Sequence, residues 1–218
     1  MDCWMNEICK SSNSDYCNVY CVGYQQLKYL YNSSNMPKKY QGLFDLKLSE
    51  VDIGIYRKLK QFKNNILDNI NNGRGVFLYS QNKGNGKTSW ACILMNEYFK
   101  QIALKNNLEC RGLFISVPVF LQDLRDDFEK EEKQMNIIKR QLREVDIVIW
   151  DDIGTEKPTD WVRETLYSFI NYRISNDLSQ IYTTNVAPGM LQKNLGERII
   201  SRINGQCLTL ELRGADKR

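Results

Sequence analysis

Apolar positions along the chain fall into two alternating rhythms. Residues 76–79, 113–117 and 147–150 are short, nearly continuous apolar runs, as strands buried on both faces of a sheet require, and 181–184 (Ile-Tyr-Thr-Thr) is a fourth strand-favouring run. Longer segments separate them. In 56–70 the spacing of Leu59, Phe62, Ile66 and Ile70 marks one helical face, ended by Asn71-Asn72-Gly73, and 88–105 and 161–174 also read as helices. Residues 120–143 are charged and helix-like, with a break expected around 129–133. Strands alternating with helices predict an α/β fold built on a parallel sheet, spanning 49–218. Upstream the texture changes: a short helix near 27–31 gives way to the polar run 32–36 and Pro37, so a linker is expected near 32–50, setting apart a small cysteine-rich segment, 1–48.

Composition narrows the chemistry. A hydrophobic content of 42% with 26% charged residues suits a chain that buries a core. The 30 basic and 26 acidic residues leave only +4, so any nucleic-acid contact must come from local clustering. No run approaches the roughly 18 apolar residues of a membrane span, and Met1-Asp2-Cys3-Trp4 does not open like a signal peptide, which predicts a cytoplasmic protein with no membrane partner. Histidine is absent, which excludes Ser-His-Asp and Cys-His catalysis and any His-ligated metal within the chain.

Seven cysteines in a reducing setting point to thiols or metal ligands before disulfides. Cys3, Cys9, Cys17 and Cys21, with five, seven and three residues between them, lack compact CxxC pairs but are numerous enough to close a tetrahedral thiolate cage. Structural Zn²⁺ is expected there, with free thiols or an iron–sulfur cluster as the alternatives. Cys92, Cys110 and Cys207 sit in apolar runs and read as core residues.

Between the first strand and the next helix stands Gln81-Asn82-Lys83-Gly84-Asn85-Gly86-Lys87-Thr88, which fits the phosphate-loop pattern GxxxxGK[ST] except at Gln81. Its glycines let successive N–H groups wrap phosphates, its lysine reaches the β and γ phosphates, and its hydroxyl holds Mg²⁺. The expected ATP/ADP contacts are Asn82, Lys83, Gly84, Asn85, Gly86, Lys87, Thr88 and Ser89, at the positive end of the helix that follows. An ordinary Gly/Asn turn reads similarly in isolation. The third strand, however, ends in Asp151-Asp152. Asp151 suits a Mg²⁺-holding acid, and Asp152 takes the place of the acid that polarises the attacking water, where glutamate is more usual.

The stretch 151–158 (Asp-Asp-Ile-Gly-Thr-Glu-Lys-Pro), with Trp161-Val162-Arg163-Glu164, Ile170-Asn171-Tyr172-Arg173 and Leu195-Gly196-Glu197-Arg198-Ile199-Ile200-Ser201-Arg202, resembles the DnaC/DnaI family of AAA+ helicase loaders over roughly residues 50–218. The resemblance implies an AAA+ P-loop core that binds and hydrolyses ATP at subunit interfaces while loading a hexameric replicative helicase onto single-stranded DNA, in a homo-oligomer when assembled. It implies that Asn185 is the sensor that orients the lytic water, that Arg202, before Arg198, is the arginine finger, and that Arg218 is the second sensor arginine. The short stretch after Asn185 predicts a reduced lid, the compactness a phage or mobile-element source, and the cysteine-rich segment the grip on the helicase. In 120–143, Lys130, Lys133, Lys139 and Arg140 are candidate phosphate contacts and Phe120 or Phe128 candidate stacking platforms, against the reading of a solvated helical face. An IstB-like transposition ATPase, or a module that holds nucleotide without turnover and occupies the helicase, are the alternatives.

Overall fold

The computed structural model describes Cys3, Cys9, Ser12, Ser14, residues 17–130 and residues 133–215, with side chains throughout except at 128–130, 133 and 134. Five strands, β1 (Gly75–Tyr79), β2 (Gly112–Ser116), β3 (Ile147–Asp151), β4 (Ser179–Thr184) and β5 (Cys207–Glu211), form one sheet in the order β2-β3-β4-β1-β5. Every pairing is parallel. Side chains alternate faces along a strand, so each continuous apolar run feeds two cores. Val76, Leu78, Ile147, Ile149 and Ile181 pack with α1 (Val22–Ser33), α2 (Ile53–Asn64), α3 (Ile66–Asn71) and α4 (Lys87–Ile102). Phe77, Val148, Trp150 and Tyr182 pack on the other face with α5 (Val117–Lys130), α6 (Lys133–Glu144), α7 (Asp160–Ser175), α8 (Pro188–Leu195) and α9 (Glu197–Gln206).

Several elements differ from the sequence expectation for local physical reasons. The helix expected over 56–70 begins at Ile53 and is interrupted at Asn65, whose side-chain amide donates to the Gln61 carbonyl at 3.0 Å; an asparagine that bonds its own backbone competes with the helix ladder. Its apolar face is nevertheless the buried one, with Leu59, Phe62, Ile66 and Ile70 all in the core. The segment 120–143 forms two helices, the break falling after Lys130. Edge strand β5 and helices α8 and α9 have no counterpart in the sequence reading.

Residues 32–50 do not hang free. Ser34, Met36 and Leu48 are buried, and Leu27, Leu30, Tyr31, Met36 and Leu48 share one apolar cluster with Trp90 and Phe99 of α4. The polar run is therefore a packed strap running from α1 over α4. No helix among the described residues is long and apolar enough to cross a membrane.

Candidate nucleotide-binding site

The strand order places the site. β4 lies between β1 and β3, so the loop after β1, the acids ending β3 and the residues ending β4 converge at one edge of the sheet. Gly84 and Gly86 adopt left-handed backbone, φ 67° and 98°, and a side chain on Gly86 would meet Leu46 Cδ2 at 2.9 Å. Gln81 has no such conformation, which explains why the loop tolerates the loss of its first glycine. The entry is held instead by buried Ser80, whose hydroxyl accepts from the Asn82 N–H at 3.0 Å and the Asn85 amide at 2.7 Å. Lys87 is buried, its ammonium donating to the Asn82 carbonyl at 2.9 Å and Asn85 Oδ1 at 3.0 Å.

Across the cleft, Asp151 Oδ1 accepts two hydroxyls, from Thr88 at 2.8 Å and Thr183 at 2.7 Å. Burial pushes the Asp151 carboxyl above its ordinary range, and these two hydrogen bonds oppose the rise. Asp152 sits at φ 57°, a conformation open to few residues other than glycine, asparagine and aspartate. Its N–H donates to Thr183 Oγ1 at 3.0 Å, and its Oδ1 accepts from the Asn185 amide at 2.8 Å. Asn185 Oδ1 is buried without a protein partner beside that pair, an acceptor left for a bound ligand or water.

Lys87, Thr88, Asp152 and Asn185 line a cleft of about 370 Å³ with Gly84, Asn85, Gly86, Ser89 and four residues of the strap: Lys39, Tyr40, Leu43 and Leu46. The strap is fixed from below. The Asn96 amide donates to the Tyr40 and Leu43 carbonyls, each at 2.7 Å, Trp90 Nε1 donates to the Leu46 carbonyl at 3.0 Å, and Lys63 donates to the Phe44 carbonyl at 2.6 Å. Thr183, Ser80 and the strap residues were not among the expected site residues. The spacing of Tyr40, Leu43 and Leu46 after Pro37 is the one signal that marks the strap in the sequence.

The remaining candidates lie elsewhere. Asn82 and Lys83 are exposed on the loop, and Asn82 also donates to the Arg213 carbonyl at 3.0 Å. Arg202 is outside its own chain's cleft, with its guanidinium 6.0 Å from the Tyr167 ring centre, and Arg198 lines a separate hollow with Arg163 and Tyr167. Arg218 lies outside the described residues. Phe120 is buried against Trp150 and Phe169, so it is no stacking platform for bases. Lys139 is paired with buried Asp127 at 2.7 Å and Arg140 with Glu144 at 3.6 Å, while the side chains of Phe128, Lys130 and Lys133 lie outside the described residues.

The described residues lend the expected zinc cage no support. Cys3, Cys9, Cys17 and Cys21 are half-buried free thiols, and among the described residues no three His, Cys, Asp or Glu side chains come together as a metal site. Cys3 and Cys9 pack instead against the apolar cluster of α1 and α4, as small hydrophobes do. For Mg²⁺ the donors fit better: the Thr88 hydroxyl and the Asp151 carboxylate are hard oxygen ligands already in contact at the phosphate end of the cleft.

A five-stranded parallel sheet with a phosphate loop after β1 and paired acids after β3 defines a P-loop nucleotide-binding domain of the AAA+ kind. More particularly, residues 52–210 match the bacterial DnaA ATPase domain, and the chain belongs to that family. It is 27% identical over 160 residues to the replicative helicase loader DnaI of Bacillus subtilis (strain 168), covering 70% of this chain and 48% of that one. The chain thus spans about half the length of the curated relatives it matches. The crystal structure of the DnaC helicase loader superposes with a TM-score of 0.66 at 21% identity, covering 81% of this chain and all of that one. The replication initiator DnaA bound to AMPPCP and single-stranded DNA superposes with a TM-score of 0.65 at 19% identity, over 83% of this chain and 51% of that one. The DnaC/DnaI resemblance read from the sequence is supported by these relatives.

Proposed function

We propose that the chain is the ATPase module of a replicative-helicase loader, binding and hydrolysing ATP in the cleft between the phosphate loop and the β3 acids. One observation carries the reading: Lys87, Thr88, Asp152 and Asn185, drawn from three separate stretches of the sequence, line a single cleft, and Asp151 is joined to it by the Thr88 hydroxyl and to Asp152 through Thr183. The loop N–H groups and Lys87 bind the phosphates. Thr88 and Asp151 would hold Mg²⁺, which neutralises charge on the β and γ phosphates when bound. Asp152, steadied by Asn185, orients the attacking water and takes its proton as oxygen bonds to the γ phosphorus and the β–γ bridging oxygen departs. Arg202, outside its own cleft, serves the nucleotide of a neighbouring copy in an assembled oligomer.

The helicase as partner is supported by the similarity to DnaI, and contact with single-stranded DNA by the likeness to a DnaA that holds it. A zinc ion on the amino-terminal cysteines, and a grip on the helicase there, rest on the sequence alone; metal analysis of the parent and Cys3→Ser proteins tests the former. Lys87→Ala is expected to lose ATP binding, and the parent chain to co-purify with a hexameric helicase. If the parent and Lys87→Ala bind Mg·ATP equally, the ATPase reading is lost. A second reading, nucleotide held without turnover, is favoured by the short Asp152 carboxylate already engaged by Asn185. Turnover by the oligomer that Arg202→Ala removes would exclude it.

A further inference from the structure

Three lysines of the helices beneath the strap are committed within the chain. Lys60 meets Asp45 at 3.2 Å, while Lys63 and Lys100 meet Glu97 at 3.5 and 3.3 Å. Lys39 has no carboxylate partner among the described residues. Its ammonium stands 4.8 Å from the centre of the Tyr40 ring, and it lines the same cleft as Lys87, Thr88, Asp152 and Asn185. Residue 39 is held there by its backbone: Pro37 leads into the tight turn Lys38–Tyr40, and Asn96 ties down the Tyr40 carbonyl.

The charge of Lys39 is also felt at Cys92 of α4. Burial pushes the Cys92 thiol well up, the Asp151 carboxylate adds to the rise, and the Lys39 ammonium opposes it. Cys92 lies one turn of α4 beyond Thr88, so Lys39 and Asp151 are felt at a single side chain beside the catalytic edge. Two lysines on one cleft repel each other, and folding alone gives no reason to place them together. A ligand carrying several negative charges does.

We infer that Lys39 is a second polyphosphate-binding cation, contacting the phosphates of the bound nucleotide from the strap while Lys87 contacts them from the loop. The inference rests on the reading of the cleft as an ATP site. It assigns the strap a direct part in ligand binding, beyond forming a wall.

The test is the equilibrium affinity for Mg·ATP of the parent chain, Lys39→Met and Lys39→Arg, each measured across a series of salt concentrations. Lys39→Met keeps the aliphatic stem and removes the charge; it is expected to weaken binding about ten-fold or more and to flatten its salt dependence. Lys39→Arg is expected to stay within about three-fold of the parent, because the charge remains. Thermal unfolding without nucleotide should be unchanged in both. If Lys39→Met binds as tightly as the parent, or more weakly with an unaltered salt dependence, Lys39 is a solvated surface charge and the inference is overturned, with the ATP site left standing. If the parent chain itself binds no ATP, both fall together.

Discussion

At Thr183 one hydroxyl serves two acids, donating to Asp151 and accepting from the Asp152 N–H. Thr183→Val keeps the shape but leaves the Asp152 N–H without its acceptor and Asp151 with the Thr88 hydroxyl alone, so a stability loss of about 1–3 kcal/mol is expected in denaturant unfolding, with Thr183→Ser largely restoring it. Asp151 behaves differently because its burial is itself a cost. Its pKa is raised, so the folded chain keeps this proton to higher pH than the unfolded chain does. This group therefore contributes stability below the ordinary aspartate range, and that contribution is lost as pH rises through the raised value. Asp151→Asn retains an acceptor for Thr88 and Thr183. It is expected to raise the melting temperature at neutral pH, to flatten this part of the pH profile, and to abolish Mg²⁺-dependent turnover, a stability gain at the expense of function. Lys87, Thr88 and the acids were legible in the sequence because phosphate chemistry demands those residue types in a short motif. Thr183 was not, because nothing local distinguishes a threonine that bonds two acids from one that merely favours a strand.

At the scale of elements, the strap is the largest departure from the sequence reading. A run of Asn, Ser, Met and Pro looks like a linker when only its own composition is considered. Its order comes from distant side chains that take up its carbonyls: Asn96 and Trp90 on α4 and Lys63 on α2. Asn96→Ala leaves the Tyr40 and Leu43 carbonyls without this donor. A stability loss of about 1–3 kcal/mol is expected, with faster hydrogen exchange in residues 40–46 and weaker nucleotide binding. The same distinction separates strands with a clear local signal from those without one. β1 and β3 announce themselves because both faces are buried, whereas edge strand β5 pairs only with β1 and carries exposed Leu208 and Thr209, so its apolar signal is diluted.

For the whole molecule, the turn before α2 and the stretch after β5 meet beside the phosphate loop. Buried Asp52, just before α2, accepts from the Arg213 and Gly214 N–H groups, both at 2.8 Å, and Asn82 and Asn85 of the loop donate to carbonyls of 212–214. Asp52→Ala removes two charge-assisted bonds, so a loss of about 2–4 kcal/mol is expected, with the Arg213 and Gly214 amides losing exchange protection and ATP binding weakened through the loosened loop. Strand and helix rhythm, the phosphate loop, the acids at the end of β3 and the family likeness were determined by the sequence itself, because each depends on residue type and spacing over a few turns of chain. Tertiary structure alone decided that β4 runs between β1 and β3 and so brings Thr183 and Asn185 to the acids. It decided as well that the strap walls the cleft, that Phe120 is buried, that Lys139 is paired with Asp127, and that Cys3 and Cys9 pack against the core. Those outcomes depend on which distant groups satisfy a buried carbonyl, hydroxyl or charge, and pairings of that kind are fixed only when the chain closes on itself.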